Sequence, residues 1–124
     1  MQDFKHILAW QRAHALAISI HKLARGFTRA GFAHLRSQLT RAADSISDNI
    51  VEGCGSSTNR DFAKFLDSSI KSANETEGHL LKAKDLGLIS HRDWQSHTQE
   101  VIEVRKMTFG YRKKVIATDT SNFP

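Results

Sequence analysis

Residues 35–55 read LRSQLTRAADSISDNIVEGCG, and two stripes run through them. Leu35, Leu39, Ala42, Ile46 and Ile50 recur at steps of four, three, four and four. That is the apolar face of an amphipathic helix. Gln38, Arg41, Ser45, Asn49 and Glu52 recur at three, four, four and three, about a quarter turn away at 100° per residue. A solvated face tolerates polar residues in any order. Here an amide, a guanidinium, a hydroxyl, a second amide and a carboxylate stand in file beside the core. The spacing predicts a hydrogen-bonded seam against another helix, either inside the subunit or across to a neighbour.

The surrounding chain is helical in pattern. Ala9, Ala13, Leu16, Ile20, Leu23 and Phe27 make a heptad seam on a first helix over about 3–25, widened by Trp10, Ala17 and Ala24. Gly26 to Gly31 forms a turn, and the second helix runs from about 32 to a C-cap at Gly53. Thr58 with Asp61 resembles a capping box for a third helix over 59–86. Phe62, Phe65, Leu66, Ser69, Ile70, Ala73, Leu80 and Leu81 are its expected buried side. Thr76, Glu77 and Gly78 interrupt that pattern and suggest a polar partner. Gly87 closes this helix and Ser90 caps a fourth over 91–116. Val101, Val104, Thr108, Tyr111 and Val115 form its seam. Ile102, Phe109 and Ile116 add a second apolar row, more than one core needs.

The single Pro is the last residue, so nothing interrupts long helices. The expected fold is all-α: one up-down-up-down four-helix bundle over residues 1–117, with a flexible tail over 118–124.

Charge is distributed unevenly. Residues 1–43 carry seven Lys/Arg against one acid, residues 44–103 six against eleven, and residues 104–124 five against one. In an up-down bundle the fourth helix lies beside the first, so the two basic ends become neighbours. Arg12, Arg105, Lys106, Arg112, Lys113 and Lys114 are then candidates for phosphate contacts with RNA or DNA. The same cations also suit the negative end of a helix dipole. A protein-interaction scaffold is the alternative, its acidic middle and broad fourth helix docking a basic partner.

Several chemistries lack their residues. His14 and His21 are seven apart, not the four of a paired helical metal site. No Glu-x-x-His pair offers a di-iron centre. No P-loop or GxGxxG pattern accompanies the glycines around Cys54. Asp44, Asp48 and Glu52 are evenly spaced, but the first two point outward; Arg41 is the expected partner of Glu52 and Glu75. No enzymatic activity, metal or cofactor is expected. The lone Cys54, in an expected loop, reads as a reduced thiol of a cytosolic protein. No 18-residue apolar run spans a membrane, and the N-terminus lacks a signal-peptide layout.

The stretches ILAWQRAHALA, LRSQLTRAADSISDNIVEG and DFAKFLDSSIKSANETEGHLL resemble the four-helix-bundle protein family. Its members include proteins encoded by intervening sequences in bacterial 23S ribosomal RNA genes. It is related to the accessory variability determinant of diversity-generating retroelements. The resemblance covers roughly residues 7–89. It implies a homopentameric ring around a channel, no established enzymatic activity, and contact with RNA or with a reverse-transcriptase-like protein. By position, the family's characteristic residues are Trp10, Gln11 and Ala13; Gln38, Arg41, Ala42, Ser45, Asn49, Glu52 and Gly53; and Phe65, Leu66, Ser72 and Glu75. Assembly and folding explain these better than catalysis does. Four positions depart from the family pattern. Thr28 and Ser47 replace prolines, Ser56 replaces a basic residue, and Lys71 replaces a glycine. The Ser56 change removes a possible phosphate contact.

Overall fold

The computed structural model describes residues 2–28 and 30–121, with the side chains of Ala30 and residues 119–121 outside that description. A short 3-10 turn, Phe4–His6, precedes α1, Leu8–Ala24. A second 3-10 turn, Ala30–Phe32, leads into α2, Ala33–Cys54. α3 is Asn59–Asp85 and α4 is His91–Ser121. Among the described residues α1 packs on α2, α2 on α3, α3 on α4 and α4 back on α1. That closed cycle of sequential neighbours is an up-down-up-down four-helix bundle.

The break before α1 has a local cause. Asp3 Oδ1 accepts the Lys5 N–H at 3.0 Å and starts a 3-10 turn in place of an α-helix. Ile7 is then extended, which turns its side chain into the core at 5% exposure. Phe4 meets Trp10 edge to face, ring centroids 4.8 Å apart, and Gln11 Nε2 donates to the Lys5 carbonyl at 2.8 Å. The expected single helix from residue 3 is therefore two pieces.

The other ends follow local chemistry. Phe27, in the turn after α1, is buried and accepts a hydrogen bond from Arg36 through its carbonyl. Thr58 Oγ1 accepts the Asp61 N–H at 3.1 Å at the start of α3, and Ser90 Oγ accepts the Asp93 N–H at 3.0 Å at the start of α4. α3 ends in a Schellman motif. Leu88 N–H bonds the Ala83 carbonyl and Gly87 N–H that of Lys84, both at 2.9 Å, with Gly87 at φ +76°. α4 continues past Ile116 to Ser121, because nothing between them stops a helix. The first four residues of the expected tail are thus helical, and residues 122–124 lie outside the described residues.

The core joins one face of every helix: Ala13, Leu16 and Ile20 of α1; Leu39, Ala43, Ile46 and Ile50 of α2; Leu66, Ala73 and Leu80 of α3; Val101 and Val104 of α4. Two expectations on α3 change. Leu81 is 44% exposed, since its neighbour Leu80 takes the inward position. Thr76 is wholly buried and satisfies its hydroxyl on the Ser72 carbonyl at 2.8 Å, so it belongs to the core.

α2 and α3 approach closely. Ser69 and Ser72 of α3, both buried, reach across to Ile46 and Ser45 of α2. Gly53 is not a C-cap but lies inside α2, beneath the Phe62 ring. A Cβ at Gly53 would lie 2.6 Å from Phe62 Cδ1 and 3.0 Å from Phe65 Cβ. An exposed helical Gly→Ala change gains about 1 kcal/mol in propensity. Overpacking a buried ring costs about 1–3 kcal/mol, so Gly53→Ala should lower stability. Thermal and urea denaturation of the variant check this; a raised melting temperature would show that α3 can move aside.

Candidate assembly seam and nucleic-acid interface

The polar file on α2 divides in two. Its middle is bonded. Ser72 Oγ donates to Ser45 Oγ at 2.8 Å, and Asn49 Nδ2 donates to the same oxygen at 2.9 Å and to the Ser45 carbonyl at 2.8 Å. One turn inward, Ser69 Oγ donates to the Ile46 carbonyl at 2.8 Å, in the buried interior. Ser45 and Asn49 are half-buried; α3 supplies a partner to Ser45, and Asn49 bonds Ser45 within α2.

The ends of the file are different. Gln38 is half-buried, while Arg41, Glu52 and Glu75 are exposed. The Ser45–Ser72 bond sets the antiparallel register and places Arg41 level with Glu75. Yet Arg41 makes no ion pair with Glu75 or Glu52 among the described residues, contrary to the expected pairing. The helices' outer flanks diverge where their inner flanks touch. Glu52 instead borders an open groove of about 530 Å³ with Ser56, Asp61, Lys64 and Phe65. Asp48 is exposed, and burial of its inner side pushes its carboxyl above the ordinary value, with Asp44 and Glu52 adding repulsion.

The basic candidates also separate into two groups. Arg12 of α1 grips Glu100 of α4 with both carboxylate oxygens, at 2.7 and 2.9 Å. The hydrogen bond and charge of Glu100 raise the Arg12 pKa further. Arg105 donates to Asn74 at 3.0 Å and to Glu77 at 2.5 Å. Arg112 Nε lies 2.6 Å from Asp67 Oδ1, and its Nη2 donates to Oδ2 at 3.3 Å. All three arginines are engaged within the subunit, where they fasten α4 to its neighbours. Arg105 and Arg112 face α3, not α1, whereas Lys114 borders a groove with Leu8 and Ala9 of α1. Lys106, Lys113 and Lys114 remain exposed, with no ion pair among the described residues.

The histidines have ordinary partners. His14 stacks on Trp10, and His21 Nε2 lies 2.9 Å from both Asp44 oxygens. His97 Nδ1 donates to the Asp93 carbonyl at 2.7 Å, and its Nε2 lies 2.9 Å from Ser19 Oγ. This pair lacks two things that acyl transfer needs. No carboxylate orients the imidazole, and the amides beside Ser19 are spent in the ladder of α1. No group of three metal-ligating side chains occurs among the described residues. Cys54 is not in a loop but ends α2, buried, and burial raises its thiol pKa. No described helix is long and apolar enough to cross a membrane.

The polar residues that bind α2 to α3 fall within a known sequence pattern. That of the 23S rRNA-intervening sequence proteins matches residues 5–110. The chain belongs to the 23S rRNA-intervening sequence protein family. Its fold is similar to the crystal structure of a protein of unknown function from the S23 ribosomal protein family of Bacteroides thetaiotaomicron, with a TM-score of 0.80. The two are 23% identical over 86% of this chain and 99% of that one. No curated protein matches the chain. Neither match carries a catalytic description.

Within this family member, Asp48 gives a pH test of the α2 flank. A carboxyl whose folded pKa is raised favours the fold below its free value of 3.8, and loses that advantage as pH rises through the raised value. Asp48→Asn should therefore raise the melting temperature at neutral pH by a small increment, because solvent screens an exposed group. The gain should vanish below pH 3.8. Paired melting curves of both proteins across that range provide the check.

Proposed function

We propose that this protein is a non-enzymatic assembly protein that binds RNA or DNA without sequence preference, through exposed lysines of α4. One observation carries this reading. Lys106, Lys113 and Lys114 are exposed and make no ion pair among the described residues, while Asp67 and Glu77 on facing α3 are held by Arg112 and Arg105. The lysine charge is therefore left for a polyanion, and counterion release drives its binding. The family's name, which refers to 23S rRNA, is consistent with such a partner. The cytoplasm is the matching compartment.

The subunits form a homopentameric ring in this reading. Arg41 and Glu75 stand level, exposed, oppositely charged and without an ion pair among the described residues, and a neighbouring subunit supplies their partners. On α1, Leu8 and Ile18 are 58% and 46% exposed and offer apolar surface to such an assembly. A ring uses two different faces of each subunit, so each copy of the lysine set is repeated around it. Avidity then rises without new contacts.

A second reading, docking of a polymerase-like or reverse-transcriptase-like protein, has its own support. A groove of about 310 Å³ is bordered by Asn74, Glu77, Gly78, Leu81, Trp94 and Thr98. Trp94 Nε1 and Thr98 Oγ1 have no hydrogen-bond partner among the described residues. Gly78 sits in mid-helix with nothing near where a Cβ would be, so packing within the subunit does not require glycine there.

Joint replacement of Lys106, Lys113 and Lys114 by Gln should weaken RNA binding in a gel shift and lower the salt slope by about one per lost phosphate contact. Mass in solution should not change. Undiminished affinity would remove these lysines from the interface, and a captured protein partner with no RNA shift would favour docking. For the ring, Arg41→Glu should reduce the mass measured by light scattering, and adding Glu75→Arg should restore it. An unchanged mass in the single variant would place the subunit contact elsewhere.

A further inference from the structure

The Arg112–Asp67 and Arg105–Glu77 pairs fix the register of α4 against α3. Midway between them Phe109 stands level with Ile70, and Phe109 is 52% exposed. A large aromatic side chain left half in water within a regular helix contributes little to its own fold. Its surroundings are cationic. Lys113, one turn on, holds Nζ 5.5 Å from the ring centroid. Lys106, three residues earlier, lies on the same flank of α4. Lys71 of α3 is exposed at this level, beside Ile70. No ion pair occupies any of the three lysines among the described residues.

Three cations alone would attract any polyanion. A bare ring among them adds a second requirement, a flat π-face able to reach it. Bases in a duplex are stacked on one another and offer only their edges. An unpaired base presents its face. Aromatic side chains set in a positive surface capture such bases whatever their identity. A basic protein segment would be repelled by these lysines, and an acidic one would leave the ring without a use.

We infer that the outer face of α3 and α4 is a stacking platform for single-stranded nucleic acid. Phe109 takes the face of one unpaired base, and Lys71, Lys106 and Lys113 hold the flanking phosphates. This inference rests on the nucleic-acid reading above and narrows it to a class of strand. It also extends the contact from the lysines of α4 onto the outer face of α3. Lys71 belongs to the platform although the family pattern has glycine there.

The test uses the full chain and fluorescence anisotropy at low salt, with labelled single-stranded oligouridine of about a dozen nucleotides and an RNA duplex of equal length. Wild-type protein should bind the single strand more tightly. Phe109→Leu keeps an apolar side chain and helix propensity but loses the π-face. It should weaken single-strand binding by roughly tenfold or more, at about 1–3 kcal/mol per stacked base, and leave duplex binding unchanged. Phe109→Trp should retain the preference. Lys71→Gln should weaken both ligands. Equal single-strand binding by wild type and Phe109→Leu, or a preference for duplex, would overturn the platform while leaving the broader reading intact. No binding of either RNA by the wild type would overturn both. A change of mass in solution on Phe109→Leu would identify the face as a subunit contact and also overturn the platform.

Discussion

The close approach of α2 and α3 is the constraint on which the rest of the bundle depends. It is achieved by removing bulk and then bonding across the gap. Gly53 admits the Phe62 ring, and the small side chains of Ser69 and Ser72 keep the contact thin. Hydroxyls fill the remaining polarity, with Ser69 on the Ile46 carbonyl and Ser72 on Ser45. A hydroxyl is small enough for such a gap and can donate in the direction its acceptor requires. Leaving one unbonded in the interior costs about 1–3 kcal/mol, so these bonds select one register over its neighbours. With α2 and α3 locked, the outer flanks of the pair are fixed as well, and so are the groups they present.

α4 is attached by a different principle. Its inward residues are short, Val101, Val104, Thr108 and Val115; at its edges Glu100 accepts from Arg12 of α1, and Arg112 and Arg105 reach Asp67 and Glu77 of α3. These pairs are part-exposed, so each is worth at most about 1 kcal/mol in stability. Their larger consequence is to sort the charges. Arg105 and Arg112, with their planar forks, are spent inside the subunit, whereas Lys106 and Lys113, hydrated point charges, stay outside. A net charge of +5 thus understates how the cations are arranged: Asp67 and Glu77 of α3 are engaged by arginines, and Lys106 and Lys113 of α4 stay exposed.

Much of this was legible in the residues. The four-three spacing of Leu35, Leu39, Ala42, Ile46 and Ile50 marks the face that proves buried, and the caps at Thr58 and Ser90 and the stop at Gly87 lie where their chemistry puts them. These are local signals, complete within four or five residues. What was not legible depends on residues distant in sequence. Gly53 looks like a helix stop until Phe62 is known to lie on it. Arg41 and Glu75 suit each other in charge, but their separation follows from how two cylinders curve apart. Arg105 and Arg112 choose α3 over α1 through the rotation of α4, which no single helix specifies. Phe109 was visible as surplus apolar surface, but its lysine neighbours on two helices were not.

Cys54 closes the end of α2 as the chain's single thiol, shielded in the core beside the Phe62 end of α3. A thiol reagent can reach it only when that corner opens, because burial both blocks access and suppresses the reactive thiolate. Its rate of labelling is therefore a clock for local unfolding of the α2–α3 junction. The molecule carries this sensor without any added probe, and can report on its own breathing.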